Sequence, residues 1–484
     1  MNLLNSTKAS FTRYARPGAA GSIEYTQHPD RAGNERVRLH STSMKYRNFV
    51  RIALWVFVSV SVSRPWICPA MEPTPTLTIR SSIEYALKHN TQFLSAKEGV
   101  AAAGANKKKQ FSEFLPKLST NYKYMRLDEE KKDSTGAVTR PENLHRFTAT
   151  LDQPVFAGFS RLTQYEISGL RLDVAGLLER QTRGDLILKV KRAYFELLQM
   201  QKLEKVARQA ETQLAAHAEV ARNFYEVGMT PRNDLLKAEV ELANARQDLV
   251  VAKNNVQLAT SRFNTILGRP IDAPLAIEDV MTHEPFTQAY EACVETALRQ
   301  RAALQVANLE AATAEKDVKL SKKGYYPSID LQANYYKKGD NPELDGGDGI
   351  ADRDEWDVAA TASWTFWEWG KTRYGVKEKL SRLAQARLNR TEIRDNIRQQ
   401  VKEAYLGVKQ SENKILAVQK AVEQAEENFR MSEERYKEQV ATSTEVLDAQ
   451  TLLTKTQTNY FNALSAFNIS KAELDRATGV EVME

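Results

Sequence analysis

The sequence predicts a mainly α-helical fold that also supplies strands to a membrane β-barrel, and three observations support this prediction. The 484 residues include only 21 glycines and 15 prolines, which favours long helices with rare interruptions. One helix–strand–strand–helix unit occurs twice along the chain. Each copy contains two alternating segments of roughly ten residues, the length that a tilted strand needs to cross a membrane.

Composition excludes several classes of protein. An apolar content of 42% with 27% charged residues is typical of a folded chain and not of a disordered one. The excess of 68 Lys and Arg over 62 Asp and Glu is small and scattered, so we expect no nucleic-acid partner. The two cysteines, Cys68 and Cys293, match no metal-ligand spacing, and we expect no cofactor.

The N-terminal residues carry targeting information. Residues 1–43 are polar and aperiodic, which indicates a misassigned start or a disordered extension. Residues 44–70 have a basic beginning, a short apolar run and a small residue at Ala70, the pattern of a secretory signal peptide. The apolar run is too short to span a bilayer. Cleavage is predicted after Ala70, with Ser63 as the alternative site, and cleavage after Ala70 would leave Cys293 as the only cysteine of the mature chain.

The remaining residues form two copies of one unit, at 71–276 and 277–484. Shifting the sequence on itself by 211 residues aligns Pro116 with Pro327 without a gap. The same offset pairs Tyr124 with Tyr335, Ala193 and Tyr194 with Ala404 and Tyr405, Tyr225 with Tyr436, and Gly268 with Gly479. A constant offset that carries Pro, Tyr and Gly across the whole length indicates a duplication.

Each copy begins with a helix and continues with two strands. A continuous helix is predicted over residues 81–114, because glycines are the only breakers before Pro116. Apolar and polar residues then alternate with a period of two, which predicts strands. The residues that alternate with polar ones are Leu118, Thr120, Tyr122 and Tyr124, then Phe147, Ala149 and Leu151, and in the second copy Ile329, Leu331, Ala333 and Tyr335, then Val358, Ala360, Ala362, Trp364 and Phe366.

A very long helix follows the strands. Residues 159–227 contain no proline, and their apolar positions recur every three or four residues. At about 1.5 Å per residue this helix would be roughly 100 Å long. Gly228 suits the left-handed end of the helix, Thr230 can cap the next helix, and Pro231 suits the first turn of that helix.

Four strands cannot close a membrane barrel, since about eight is the smallest number that does, and open edges are not tolerated in lipid. Three copies of the chain would supply twelve strands. Aromatic residues stand where interfacial girdles are expected: Tyr122, Tyr124, Tyr335, Tyr336, Trp364, Phe366, Trp367 and Trp369. The alternative interpretation is that they form the core of a soluble β-subdomain.

Several motifs resemble those of the TolC family of outer-membrane efflux proteins, over about residues 77–480. They are Leu115-Pro116-Lys117-Leu118, Gln153-Pro154-Val155-Phe156-Ala157-Gly158, the stretch from Thr365 to Arg373, and the tip motifs from Tyr225 to Thr230 and from Glu445 to Ala449. The resemblance implies a homotrimer with a twelve-strand barrel in the outer-membrane lipid and a long α-helical tunnel in the periplasm. It also implies docking onto a periplasmic adaptor (a membrane fusion protein) and an inner-membrane pump of the RND or ABC type.

Two carboxylates stand near the end of the tunnel that lies away from the barrel. Glu445 and Asp448 are three residues apart on one helix face, so threefold symmetry would stack them as two acidic rings. The resemblance places the acidic rings of the periplasmic aperture here. The alternative is that Glu445 only completes a capping box with Thr442 and that Asp448 is solvated.

The resemblance also implies a link that holds the mouth closed. Tyr436 matches the tyrosine of this link and Asp234 matches its aspartate, whereas the position of the arginine is Ala441 here. This departure removes the charged half of the link. A purely structural alternative is that Tyr436 packs in a coiled coil.

The first-copy tip Val227-Gly228-Met229-Thr230 matches the motif through which the family meets its adaptor, while the second-copy tip lacks the glycine. An adaptor site must present Met229 to solvent. The alternative is a plain helix–turn–helix loop.

No catalytic residues are recognisable, so we expect a channel and not an enzyme. The acidic loop at residues 337–355 has spaced aspartates but not the EF-hand spacing, which favours a solvated loop over a Ca²⁺ site. The leading prediction is an exit duct of a tripartite efflux or type I secretion system, through which substrates diffuse passively. A secreted coiled-coil scaffold without a pore is the alternative, and drug, metal and protein export remain open.

Overall fold

The computed structural model describes residues 76–350 and 352–483, so the predictions for residues 1–43 and 44–70 fall outside the described residues. Eight α-helices and six strands follow one another in this part of the chain, with one short 3-10 helix at Lys322–Tyr325 between α6 and β5. They are α1 Ile79–His89, α2 Thr91–Ser112, β1 Lys117–Arg126, β2 Lys131–Lys132, β3 Val138–Arg140, β4 Asn143–Ala157, α3 Ser160–Glu226, α4 Arg232–Leu267, α5 Tyr290–Gln300, α6 Ala302–Ser321, β5 Ser328–Gly339, β6 Asp354–Ser363, α7 Lys371–Lys437 and α8 Ser443–Thr478.

The helices of the two copies begin at equivalent residues of the repeat. Helices α3 and α7 each contain 67 residues, and α4 and α8 each contain 36. Each helix of the second copy starts 211 residues after its counterpart, which is the offset found in the sequence. The predicted rod is therefore present twice, and at about 1.5 Å per residue each rod is roughly 100 Å long.

The four long strands form one sheet in the order β1-β4-β5-β6, with every neighbouring pair antiparallel. Strands β1 and β6 are its two edges, and their side chains are exposed on nearly every residue. Because direction alternates along the order, the two edge strands run in opposite directions. The short strands β2 and β3 form a separate hairpin between β1 and β4.

Strand β6 ends earlier than the sequence pattern predicts. Trp364 and Phe366 were expected to continue its alternation, but the strand stops at Ser363. Ser363 pairs with Ser328, the first residue of β5, and Pro327 precedes that residue. The two aromatic residues consequently have no partner strand within the described part of the chain. They lie in the exposed connection to α7.

The predicted continuous helix at 81–114 is wrong, because it is broken at Asn90 into α1 and α2. The equivalent residue of the second copy, Arg301, breaks α5 from α6 with nearly the same extended backbone angles. The Asn90 side-chain oxygen accepts hydrogen bonds from the backbone N–H groups of Gln92 and Phe93, which caps α2. The break thus has a local cause in the first copy.

The side chains of Asn90 and Arg301 also bind the C-terminal ends of α4 and α8. Asn90 Nδ2 donates to the carbonyl of Ile266 near the end of α4. Arg301 Nη1 donates to the carbonyl of Ala477 at 3.2 Å, near the end of α8. Ile266 and Ala477 are equivalent positions of the repeat, so two different side chains satisfy the same C-terminal carbonyl.

The main core lies where the middle of the rods meets the shorter helices α1 and α5. Its four largest fully buried side chains are Tyr194, Phe263, Phe467 and, from α1, Ile83. Towards the tips, the buried contact between α3 and α4 is formed by the small side chains of Ala218, Ala221 and Ala238. Within residues 76–350 and 352–483, no helix has both the length and the apolar character needed to cross a membrane.

Replacing Gly268 by alanine should lower the free energy of unfolding by about 2–4 kcal/mol. This glycine ends α4 with φ +78°, and a Cβ atom there would stand 2.9 Å from the backbone oxygen of His89. The matched control is Gly99, inside α2, where a Cβ atom meets nothing within 4 Å. Gly99→Ala should stabilise the chain by about 0.5–1 kcal/mol. Thermal unfolding in detergent compares the two, and equal effects would contradict the prediction.

Candidate functional site

The ends of the two helical hairpins have the same backbone design. The first tip, Val227 to Pro231, joins α3 to α4, and the second tip, Glu438 to Thr442, joins α7 to α8. In the first tip the N–H of Met229 donates to the carbonyl of Phe224 at 2.8 Å, and in the second the N–H of Val440 donates to that of Arg435 at 2.9 Å. Both turns are therefore helix ends that close through a left-handed residue.

The left-handed residue differs between the tips. Gly228 has φ +79°, as the sequence predicts, whereas Gln439 adopts φ +62° in the second tip. A left-handed conformation costs a non-glycine residue about 1–2 kcal/mol. The Gln439 side chain makes a contact that a glycine could not, because its Nε2 lies 3.0 Å from the Sδ atom of Met229. This contact joins the two tips.

The prediction that Thr230 caps α4 is wrong. The N-cap residue is Pro231, the helix begins at Arg232, and no side chain caps it. Within the described residues the buried Thr230 hydroxyl has no hydrogen-bond partner. In the second tip the predicted capping box is present: Thr442 Oγ1 accepts from the N–H of Glu445, and Glu445 Oε1 accepts from the N–H of Thr442 at 3.3 Å.

Met229 and Val227 are presented to solvent at the first tip, with 59% and 68% of their surface exposed. Gly228 is also exposed, and Thr230 is half-buried. This arrangement meets the requirement for a docking tip, which remains a prediction.

The structure brings Asp234 and Tyr436 close together without a hydrogen bond between them. Tyr436 is buried, and burial, with a smaller contribution from the Asp234 carboxylate, raises the pKa of its hydroxyl. The hydroxyl lies near Ser443 but makes no hydrogen bond of normal geometry among the described residues. The ring packs against His217 and Phe224, with ring centroids 4.8 and 5.6 Å apart. In a single chain, Tyr436 is thus a packing residue at the junction of the two hairpins.

His217, which the sequence analysis did not single out, lies at the centre of this junction. Its Nε2 atom is 2.9 Å from the hydroxyl oxygen of Ser443, the first residue of α8. Burial lowers the pKa of the imidazole, while the charges of Glu433 and Asp234 oppose this effect. A lone histidine within a helical pattern carries no signal that would have identified it, because its partner is 226 residues away.

Glu445 and Asp448 are both exposed on α8, near the second tip. Arg435 Nη1 lies 3.6 Å from Glu445 Oε2. Asp448 forms no ion pair with any described residue, and it lines a cleft of ≈ 430 Å³ between α4 and α8 together with Lys237 and Leu447. Arg435 is a second residue that the sequence analysis missed.

Within the described residues, no group of three or more His, Cys, Asp and Glu side chains is arranged to hold a metal ion. Acidic groups of the loop at 337–355 are engaged in local bonds. Lys338 pairs with Glu355, Arg353 with Asp354 at 2.9 Å, and Asn341 donates to Asp345.

The four-stranded sheet has two open edges, and it is joined to helical hairpins roughly 100 Å long. This combination indicates the class of channel proteins that cross the outer membrane. The model of the family described as "Outer membrane efflux protein" matches residues 82–269 and 293–480. The chain belongs to this family. The two matches are again displaced by 211 residues, although the predicted boundary between residues 276 and 277 stays a prediction.

Named relatives share this character. The chain is 23% identical over 331 residues to outer membrane protein TolC of Vibrio cholerae, covering 66% of this chain and 75% of the relative. It is 23% identical over 413 residues to outer membrane efflux protein BepC of Brucella suis, covering 83% and 85%. These names describe membrane and efflux proteins and not enzymes.

Solved structures share the fold. The CmeC outer membrane channel of Campylobacter jejuni superposes with a TM-score of 0.73 at 16% identity, covering 83% of this chain and 85% of that one. The open state of the MtrE outer membrane channel of Neisseria gonorrhoeae gives a TM-score of 0.68 at 17% identity, covering 83% and 89%. The chain is therefore an outer-membrane protein with the fold of these channels, and its family favours an exit duct over a scaffold without a pore.

Proposed function

We propose that three copies of this chain form a continuous exit duct through the outer membrane. The observation that carries the proposal is the four-stranded sheet whose edges β1 and β6 are both unpaired and run in opposite directions. Strand β6 of one copy can therefore pair antiparallel with β1 of the next. Three sheets would then close into twelve strands with every backbone group paired, as lipid requires.

Aromatic residues support this placement in the membrane. Trp364, Phe366, Trp367 and Trp369 follow β6 directly, and all are at least 60% exposed in the single chain. Large exposed aromatic side chains at the end of a strand are typical of the interface between lipid and water. The helices would continue from this level into the periplasm as a tunnel.

The long helices suit a duct that other proteins power. The duct would carry substrates passively, after a periplasmic adaptor and an inner-membrane pump of the RND or ABC type have delivered them. The exposed first tip, Val227-Gly228-Met229-Thr230, is the proposed adaptor contact. The names of the similar proteins, which include an efflux protein and outer membrane channels, agree with this role.

The mouth of the duct would lie at the tips. Glu445 and Asp448 would form acidic rings around a threefold axis and favour cations. Contacts of the buried Tyr436 with the first hairpin, near Asp234, would hold the tips together in the resting state. Because Ala441 offers no guanidinium, this resting contact would depend on packing at Tyr436 more than on charge.

Conductance in planar bilayers tests the duct. Detergent-purified wild type should give discrete pores that prefer cations, and Glu445→Ala/Asp448→Ala should keep the pores but lose most of this preference. Folding and trimer formation are checked by circular dichroism and gel filtration. Folded trimers that never conduct, even with the double variant, would contradict the proposal.

A further inference from the structure

The side chain of Arg435 extends across the second tip. It lies in the last turn of α7, two residues before the helix ends at Lys437. Its Nη2 atom donates to the carbonyl of Val440 at 3.3 Å, while Nη1 lies 3.6 Å from Glu445 Oε2. The guanidinium thus contacts both the turn and the carboxylate that follows the turn.

Glu445 is held towards this guanidinium by a second restraint. Its Oε1 atom accepts a hydrogen bond from the N–H of Thr442 in the capping box, and Oε2 faces Arg435. Both side chains are about half exposed, at 54% for Arg435 and 46% for Glu445, so the pair contributes little to folding stability. Its electrostatic effect on a passing ion is separate from stability. A close pair of opposite charges has no net charge, and its field decays faster than that of a single carboxylate.

Asp448 differs from Glu445 in this respect. The cation that lines the same cleft is Lys237, whose Nζ atom donates to Thr444 Oγ1 at 3.3 Å and forms no ion pair with a described residue. The other charges of the second hairpin end are paired, with Lys437 on Glu433 and Arg430 on both Glu427 and Glu434. From residue 427 to residue 448, only Glu438 and Asp448 are carboxylates without an ion pair in the described chain.

We propose that Arg435 is the internal counter-ion of Glu445, so that, of the two carboxylates on α8, Asp448 supplies most of the charge selectivity of the mouth. The proposal rests on the proposed duct. It makes Arg435 a specificity-determining residue, because the guanidinium sets how many of the two carboxylates on α8 act on a permeating ion. Of the two predicted acidic rings, the Glu445 ring would be neutralised by Arg435, and the Asp448 ring would act on ions.

Reversal potentials across a KCl gradient test the assignment, with Arg435→Gln, Glu445→Gln, Asp448→Asn and the double variant Arg435→Gln/Glu445→Gln. Glutamine can keep the capping box at position 445, so the tip should fold in each variant. Arg435→Gln should raise the potassium-to-chloride permeability ratio about threefold, because it frees Glu445. Glu445→Gln should lower the ratio about threefold, because it frees Arg435.

The double variant Arg435→Gln/Glu445→Gln tests whether Arg435 and Glu445 neutralise each other. If the two charges compensate each other, removing both should return the ratio to that of the wild type, while Asp448→Asn should abolish most of the preference. Glu438→Gln is the control for an unpaired carboxylate at the turn, and it should change the ratio less than Asp448→Asn. A double variant that behaves like Glu445→Gln alone would overturn the assignment. Absence of pores in the wild type would instead contradict the proposed duct.

Discussion

Replacing Tyr194 by alanine should lower the free energy of unfolding by about 3–5 kcal/mol, the largest effect we expect from a single side chain. The ring is fully buried and packs edge-to-face on Phe263, with the ring centroids 5.8 Å apart. Its hydroxyl donates to the carbonyl oxygen of Glu278 at 2.7 Å and lies within hydrogen-bond distance, 3.0 Å, of that of Leu77. Burial, with the nearby Glu278 and Asp279 charges, raises the pKa of Tyr194 to about 12.

These acceptors show what Tyr194 holds in place. Leu77 and Ile277 form an isolated parallel bridge, which connects the segment before α1 to the segment between α4 and α5. Tyr194→Phe keeps the packing but leaves the Glu278 carbonyl without this donor. The phenylalanine variant should therefore cost about 1–3 kcal/mol of the total.

The duplication provides a matched control. Tyr405, the equivalent residue, packs against Phe286 and Tyr290, but among the described residues its hydroxyl has no hydrogen-bond partner. Tyr405→Phe should change the stability by no more than about 0.5 kcal/mol. Guanidinium chloride unfolding in detergent, followed by circular dichroism, measures all three variants. Equal losses for Tyr194→Phe and Tyr405→Phe would show that the two carbonyl contacts contribute nothing.

The repeat and the rods are predictable from sequence because their signals are periodic. Residues 159–227 repeat an apolar step of three or four without proline, and α3 fills almost this whole range. The strands are predictable for the same reason. Trp364 and Phe366 continue the period of β6, yet the sequence does not show that the partner strand β5 has ended.

The helix breaks illustrate what sequence alone misses. Asn90 offered a local signal, since asparagine is a preferred capping residue. Arg301 offered none, because its side chain serves the end of α8, more than 170 residues further along the chain. A duplicated chain can thus keep a backbone position while replacing the side chain that stabilises it.

The tips also combine contacts that the sequence predicts with contacts that it does not. Thr442 and Glu445 are three residues apart and form a capping box, so their contact was predictable. The contact of Arg435 with Glu445 depends on how the turn folds back, because ten residues separate them. His217 depends on the packing of one hairpin against the other, which no spacing reveals.

Acidification should loosen the junction between the two hairpins, and His217 should be the residue responsible. Burial keeps the pKa of its imidazole below the ordinary value of about 6.5 that it regains when the hairpins separate. The packed junction therefore has its full stability above about pH 6.5. As the pH falls below this value, His217 becomes protonated in the separated state but stays neutral in the packed state. The free energy that holds the two hairpins together therefore decreases.

The groups around the His217 imidazole determine how strongly the stability of the junction depends on pH. Ser443 is the first residue of α8, so the imidazole lies at the positive end of a helix dipole, which disfavours its protonated form as burial does. Glu433 of α7 and Asp234 of α4 are the carboxylates that favour the proton, and their effect is smaller than that of burial. One proton changes the stability by at most about 1.4 kcal/mol per pH unit, a factor of about ten.

Hydrogen–deuterium exchange at pH 7.5 and pH 5.5, corrected for the intrinsic exchange rate, measures this loosening in segments 214–226 and 436–448. Both segments should exchange faster at the lower pH in the wild type. His217→Gln retains a polar partner for Ser443 but cannot titrate, and it should remove the difference. His89→Gln, which changes an exposed histidine of α1, should leave the difference intact. If His217→Gln kept the full pH response, the carboxylates Glu433 and Asp234 would be the groups to examine, and the role of the imidazole would be rejected.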